Sequence, residues 1–370
     1  MSMPKQNAMG IAVVGCGRIA QSYARSLLTD PERVRLVGGY DIIAERTDQF
    51  AETFGGKAYP DYDAVLSDSD VDIIANLTTQ QAHAAVTGPA LHAGKHVHSE
   101  KPLACDRQEG LELLELAAAT GMRLSCSPFT FLGEAQQTFI RAAREGGPES
   151  VRVAYSEMNW GAIERRNPRP IPFLQHGAGP LLDVGVYALT LLTAALGPVG
   201  RVTGFAQIVQ PERVIRTGPD AGVHFQVETP DQVLGGLEFE CGTVGRITAS
   251  FRDGKSKQAN GTEFHAHDRS LFLESNVSFD TNVESCNLDT DEWTPVPCVA
   301  PPFKGVEWGR AVFDLVDSLR TGTPQHCTGE QAYHVLDICL SILEAAGKEC
   351  PVDVVSRFEI PPLMSWASGE

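Results

Sequence analysis

The residues Gly15-Cys16-Gly17-Arg18-Ile19-Ala20 have the types and spacing of a turn that holds a dinucleotide pyrophosphate. Gly15 permits the tight turn. Gly17 has no Cβ to obstruct the phosphates, and the small Ala20 lets the following helix pack on the preceding strand. Arg18 and Ile19 open that helix and lie beside the expected phosphates. Asp41 follows 26 positions after Gly15, at the end of the next apolar run. A carboxylate there accepts hydrogen bonds from the adenosine ribose hydroxyls and repels a 2′-phosphate, which favours NAD. Arg46 lies just beyond it and is suited to meeting a 2′-phosphate, so NADP stays open.

A second set of residues has the types needed for proton handling. Lys101 follows an expected strand, at the carboxyl edge of an expected parallel sheet, where ligands of such folds collect. A lysine there hydrogen-bonds a substrate oxygen and stabilises negative charge developing on it. Asp183 and Tyr187 are four apart in an apolar stretch with helical character, so both project to one face. A phenol titrates near pH 10, about three units above neutrality; a neighbouring cation lowers it. Thr78, at the end of the third apolar run, and His83, early in the next helix, are further candidates for the cofactor side. His176, Trp160 and Arg169 lie in a loop rich in Pro, Arg and Gly that spans residues 159–180, long enough to suggest function. His265 and His267 alternate with Glu263, a pattern read as a solvated strand face, and no metal is expected.

These residues need elements to position them. Expected strands at 10–14, 34–40, 71–77, 96–99 and 123–127 alternate with helical stretches at 19–28, 44–54, 80–93 and 107–120. Strand, Gly turn and helix in alternation predict a doubly wound parallel sheet. After about residue 128 the rhythm changes. Helices are expected at 132–145, 181–196, 313–320 and 330–346. Strand-like runs at 151–158, 199–209, 224–228, 233–240, 243–250, 263–267 and 270–275 lack helices between them. They predict an open, mostly antiparallel sheet. The expected division is 1–127 for a cofactor domain and 128–370 for a substrate and oligomerisation domain.

The 370 residues carry 42% hydrophobic and 21% charged side chains, as soluble globular proteins do. No apolar run approaches the roughly 20 residues that span a bilayer, so no membrane partner is expected. The formal net charge of −17 repels phosphate backbones and argues against nucleic acid. Nine scattered cysteines without a CxxC pair fit reduced thiols in the cytoplasm.

Three segments together resemble the glucose–fructose oxidoreductase, inositol dehydrogenase and rhizopine-catabolism family, Gfo/Idh/MocA. They are Gly15 to Ala20; Ala93-Gly94-Lys95-His96-Val97-His98-Ser99-Glu100-Lys101-Pro102, similar to the family's AGKHVxxEKP; and Gly177-Ala178-Gly179-Pro180-Leu181-Leu182-Asp183-Val184-Gly185-Val186-Tyr187, similar to its GGGxxxDxGxH/Y. The resemblance implies a Rossmann domain followed by an α/β domain with a large open sheet. It implies oxidation or reduction of a sugar, cyclitol or related polyol. It sets Glu100 beside Lys101 on the cofactor side and assembly as a homodimer or homotetramer through the second sheet. Many relatives carry His where this chain has Tyr187, so the acid/base is left between Tyr187 and Lys101.

The expected chemistry is hydride exchange between a nicotinamide and a carbinol carbon, with Asp183 orienting the substrate. Two alternatives share the cofactor. One is glycoside cleavage by transient oxidation and elimination. The other is an NAD-responsive binding protein without catalysis, which needs no proton-handling set.

Overall fold

The computed structural model describes residues 8–147, 150–252 and 256–368. They divide into two units. The first takes residues up to Phe129 together with Glu307–Ala332; the second takes Thr130–Val306 and residues from Tyr333 on. The segment Glu307–Ala332, which the sequence boundary gives to the second domain, thus belongs with the first. Its helical pattern carried no sign of which sheet it packs on.

In the first unit, strands β1 (Met9–Val14), β2 (Val34–Tyr40), β3 (Lys57–Ala58), β4 (Ile73–Asn76), β5 (His96–Ser99) and β6 (Leu124–Cys126) form a parallel sheet ordered β3-β2-β1-β4-β5-β6. Helices α1 (Arg18–Leu27), α2 (Ala44–Phe54), α3 (Tyr62–Ser67), α4 (His83–His92) and α5 (Arg107–Thr120) make the crossovers. The central strands β1 and β4 read as apolar runs because both faces are covered: Ile11, Ala12, Val13, Ile73, Ile74 and Ala75 are fully buried. The chain order reverses beside β1, between β1 and β4, so the carboxyl ends of these strands open a crevice at a switch point.

The second unit begins with α6 (Glu134–Arg144), β7 (Val151–Asn159) and α7 (Val186–Leu196). Strands β8 (Val199–Gln207), β9 (Glu212–Val214), β10 (His224–Gln226), β11 (Gln232–Phe239), β12 (Val244–Ser250), β13 (Asn260–Ala266), β14 (Arg269–Leu273), β15 (Val283–Asn287) and β16 (Glu292–Pro295) follow. Helix α8 (Arg310–Thr321) lies in the first unit; α9 (Gly329–Lys348), β17 (Val352–Asp353) and α10 (Ser365–Ser368) close the chain. The large sheet has nine strands in the order β16-β15-β14-β13-β7-β12-β11-β8-β17. Only β7 and β12 pair in parallel. One face is apolar and covered by helices, with the Phe139 ring of α6 packed at a tilt against Phe264, ring centres 4.6 Å apart. The other face carries Arg201, Phe205, Leu234, Glu238, Val244, Arg246, Tyr155, Glu263, His265 and Trp293 in register.

Two expectations are corrected. The run at 224–228 is not part of the large sheet; its strand β10 forms a separate hairpin with β9. The helix expected at 181–196 begins as a π turn, Leu181–Gly185, and becomes α-helical only at Val186. Asp183 therefore sits in the wide turn and Tyr187 in α7, not on one regular helix face. Such π turns occur preferentially where function needs a side chain re-aimed. No described helix is long and apolar enough to cross a membrane.

Candidate functional site

Gly15 has φ +93° and donates its N–H to the Tyr40 carbonyl at 2.7 Å. A Cβ there would lie 2.7 Å from the Leu77 carbonyl carbon and 2.8 Å from the Thr78 nitrogen. Conformation and space both require glycine. Gly17 differs. Its φ is −75°, and apart from its own chain neighbours no protein atom lies within 4 Å of where its Cβ would be. Nothing in the protein's own packing asks for glycine at this point, whereas a ligand approaching the backbone does. Helix α1 starts here with no side-chain cap and no acidic residue in its first turn, so its N–H groups are left for an anion. Arg18 is exposed, Ile19 half-buried and Ala20 fully buried against the sheet. The local geometry fits a dinucleotide pyrophosphate.

Asp41 does more than end β2. It is 8% exposed, and its Oδ2 accepts from the Cys16 N–H at 2.9 Å while Oδ1 accepts from the Ile43 N–H at 2.9 Å. Thr47 Oγ1 accepts the Asp41 N–H at 2.8 Å, and Arg46 Nη1 lies 3.7 Å from Oδ2. The carboxylate therefore shapes the Gly turn it faces and keeps lone pairs to spare, since it offers about four sites. The Cys16 thiol stays protonated: burial first, and then the Asp41 charge, push its pKa up to about 12.

Thr78 and His83 are tied together by Asn76, which is fully buried at the end of β4. The Thr78 hydroxyl donates to Asn76 Oδ1 at 2.6 Å, and Asn76 Nδ2 donates to the His83 carbonyl at 3.0 Å. His83 opens α4 and is only 1% exposed. Its Nδ1 lies 2.6 Å from the Pro102 carbonyl and its Nε2 3.3 Å from the Thr78 carbonyl. Burial holds its pKa below the usual imidazole value, so the ring is neutral at pH 7, and the shorter contact assigns its proton to Nδ1. His83 thus laces the strand end carrying Thr78 to the turn carrying Lys101.

Lys101 is half-buried in the bend after β5, and the Lys101–Pro102 peptide is cis. Its own N–H reaches Glu100 Oε2 at 3.3 Å. Glu100 is turned inward: Tyr23 donates to its Oε1 at 2.6 Å and Ser127 at 3.1 Å. Tyr23, on α1, also sits 3.1 Å from His98 Nε2, and His98 Nδ1 is 3.0 Å from Ser125 Oγ. Burial pushes the His98 pKa down to about 4, so it is neutral and joins the network through one N–H. The proton order that satisfies every group runs Ser125 to His98 to Tyr23 to Glu100. The expected cofactor-side Glu100 is therefore also the anchor on which Lys101 is mounted. Tyr23 and His98 were not singled out from the sequence; their apolar neighbours Phe129 and Trp308 mark a core position, not a site.

In the second unit Asp183 is buried, Tyr187 is half-buried and His176 is exposed. The π turn is entered from the 159–180 loop through Gly179, whose carbonyl accepts the Asp183 N–H at 2.9 Å. Trp160, 36% exposed, has the Arg166 guanidinium over its ring at 5.4 Å, and Arg166 also donates to the Trp160 carbonyl. Arg169 is exposed, its N–H bonded to Asn167 Oδ1 at 2.9 Å. His265 meets Ser270 at 2.8 Å and Glu263 at 3.5 Å on the open sheet face. No group of three His, Cys, Asp or Glu able to hold a metal occurs among the described residues.

Sequence reasoning missed Arg213. It is fully buried and donates to Glu164 Oε2 at 3.0 Å, to the Phe251 carbonyl at 3.0 Å and to Asp231 Oδ2 at 2.5 Å. Glu164 lies in the long loop, and Asp231 directly precedes β11. The charge cluster pins the loop to the sheet. Its three members are 18 and 49 positions apart, and nothing in the run Pro211-Glu212-Arg213 distinguishes a buried arginine from a solvated one.

Comparison with known proteins gives a consistent picture. Residues 9–127 match a family model described as an oxidoreductase family with an NAD-binding Rossmann fold. Residues 137–271 match the GFO/IDH/MocA C-terminal domain. A dTDP-3,4-didehydro-2,6-dideoxy-alpha-D-glucose 3-reductase of Streptomyces violaceoruber is 34% identical over 206 residues, which cover 53% of this chain and 57% of that relative's length. A trans-1,2-dihydrobenzene-1,2-diol dehydrogenase of Oryctolagus cuniculus is 28% identical over 242 residues, covering 64% and 68% of the two chains. A levoglucosan dehydrogenase solved with NADH and levoglucosan superposes with a TM-score of 0.81 at 19% identity, covering 94% of this chain and 100% of the other. At that identity the likeness shows a shared fold.

Proposed function

Because this chain belongs to the GFO/IDH/MocA family of oxidoreductases, we propose that it transfers hydride between NAD and a carbinol or carbonyl carbon of a sugar, cyclitol or related polyol. The observation that carries this reading is the pair of features in the first unit: a Gly turn whose Gly17 faces open space, and Lys101 mounted on a buried, hydrogen-bonded Glu100. Gly15, Gly17, Arg18, Ile19, Asp41, Thr78 and His83 hold the cofactor. NAD supplies the hydride acceptor or donor at its nicotinamide.

The side chains divide the remaining work. Lys101 hydrogen-bonds the reacting oxygen and stabilises the charge that builds on it. Asp183 accepts from a substrate hydroxyl and fixes its orientation. Tyr187 or Lys101 moves the hydroxyl proton. Trp160, His176 and Arg169 contact the rest of the substrate. Asp41 with Arg46 already paired on it supports NAD over NADP.

A homodimer or homotetramer through the open face of the large sheet is part of the proposal. Phe205 (77% exposed) pairs directly with Leu234 there, and Val244 and Trp293 extend the apolar surface. A cytoplasmic setting is supported by nine unpaired thiols.

The test is a screen of NAD and NADP reduction over aldoses, inositols, sugar phosphates and glycosides. NADH accumulation with at least one carbinol is expected. Glycoside cleavage without net NADH would move the reading to transient oxidation and elimination. Tight NADH binding with no turnover across the panel would reduce the protein to a sensor.

A further inference from the structure

The chain is short of cations, with 47 acidic against 30 basic residues. In the second unit four basic residues are taken up by carboxylates, Arg201 by Glu238, Arg246 by Glu157, Arg269 by Glu145 and Arg357 by Glu240, while Arg141 and Arg144 bond backbone carbonyls. Single exposed arginines without a carboxylate occur elsewhere in the unit, at Arg152 and Arg252, but two adjoining segments concentrate them. Residues 160–176 carry Arg165, Arg166 and Arg169 against a single carboxylate, Glu164. Glu164 is buried and committed to Arg213. The β9–β10 hairpin adds Arg216, while its Glu212 is committed to His224 at 2.5 Å, leaving Asp220 as the hairpin's remaining carboxylate. Among the described residues no ion pair joins a carboxylate to Arg165, Arg166, Arg169 or Arg216, and all four side chains are exposed.

The two segments are joined. The Arg216 N–H donates to the Glu164 carbonyl at 3.1 Å, and Pro168 fills the space a side chain on Gly218 would need. Below them Arg213 locks Glu164 to Asp231, so the backbone carrying the four guanidiniums is held before any ligand arrives. Arg166 is further fixed over Trp160. Unpaired guanidiniums on adjoining, rigid segments repel one another; an anion relieves that, and the guanidinium fork matches phosphate oxygens two at a time. The same loop runs directly through Gly179 into the turn that holds Asp183.

We propose that the sugar this protein acts on carries a phosphate or diphosphate group, and that Arg165, Arg166, Arg169 and Arg216 bind it. The inference rests on the sugar-oxidoreductase reading and deepens it. A sugar phosphate and a nucleoside-diphosphate sugar share the recognised chemistry, and the test separates them.

Protein saturated with NADH is titrated calorimetrically with UDP, with glucose 6-phosphate and with unphosphorylated glucose, in wild type and in a double variant Arg169→Gln with Arg216→Gln. Saturation keeps the titrants out of the cofactor site. The expected result is binding of UDP or glucose 6-phosphate at least about tenfold tighter than glucose, weakening with added salt, and an at least tenfold loss in the double variant with NADH affinity unchanged. Stronger UDP binding identifies a nucleotide-activated sugar; stronger glucose 6-phosphate binding identifies a simple sugar phosphate. Equal affinity of glucose and both phosphates for wild type, or undiminished phosphate binding by the double variant, overturns the proposal. Failure of wild type to bind either NADH or NADPH overturns the oxidoreductase reading instead, so the two failures are distinguishable.

Discussion

The carboxyl edge of the parallel sheet and the 159–180 loop position functional side chains by opposite means. At the sheet edge the machinery is held by hydrogen bonds among strand ends and the turns that follow them. Asn76, Thr78 and His83 lie within eight positions of one another, and Lys101 stands on its own neighbour Glu100. In the loop the machinery is ionic and distant: a fully buried guanidinium from a separate hairpin holds Glu164 against Asp231. Backbone geometry set by glycine, strand end and short side-chain bonds suffices where one sheet fixes every strand. A long segment outside the sheet has no such frame and needs a charge cluster to supply it.

The largest expected effect breaks the ionic side. Arg213→Met leaves two carboxylates buried without their cation, and losses of about 3–5 kcal/mol are typical of such breaks. Thermal unfolding of the second unit should fall by many degrees, and the loop should become sensitive to proteolysis near Arg165 and Arg166. An unchanged unfolding temperature would mean the cluster is not what holds the loop. Lys101→Met tests the sheet edge. Turnover should drop about 10²–10³-fold, the range seen when one donor to a developing oxyanion is removed. NADH affinity, measured by fluorescence, should change little. Full activity in this variant would remove Lys101 from the chemistry.

Tyr23→Phe sharpens the same side. The ring keeps its contacts with Phe129 and Trp308, while Glu100 loses its 2.6 Å donor. A cost of about 2 kcal/mol in stability is expected for the unsatisfied acceptor. If Glu100 positions Lys101, kcat and its pH profile move while KM for NAD does not. A stability loss with an unaltered pH profile would make Tyr23 a packing residue alone.

How much was legible follows from the same contrast. Five strands of the parallel sheet were readable from buried runs that alternate with helices, and the Gly turn because its requirements fall on neighbouring residues; the two-residue edge strand β3, exposed Lys57-Ala58, left no such run. The mostly antiparallel second sheet was readable as a class. Strands β15 and β16 were not, since Glu284, Glu292 and Thr294 break the apolar alternation. Asp183 was found by its segment, but the π turn that aims it was not, because a run of Leu, Val, Ala and Thr reads as α-helix by period. Tyr23, His98 and Arg213 act through partners 18 to 77 positions away, and no local pattern encodes those pairings.

The smallest effect concerns acid. His98 in the first unit and His334 in the second are both buried, and burial pushes each down to about 4. An unfolded histidine titrates near 6.5. Between pH 6.5 and 4 the unfolded chain therefore binds a proton that the folded chain refuses, so stability declines as pH falls through that window and levels off below it. Each such histidine contributes at most about 1.4 kcal/mol per pH unit. In His98→Gln the slope of unfolding free energy against pH should decrease by up to that amount between pH 6.5 and 4, with no change above pH 7. His334→Gln should do the same for the second unit, where the ring accepts the Val199 N–H at 3.0 Å. The two units would then share one acid limit. A slope unchanged by His98→Gln would show that this ring is not held neutral, and the proton order from Ser125 to Glu100 would have to be redrawn.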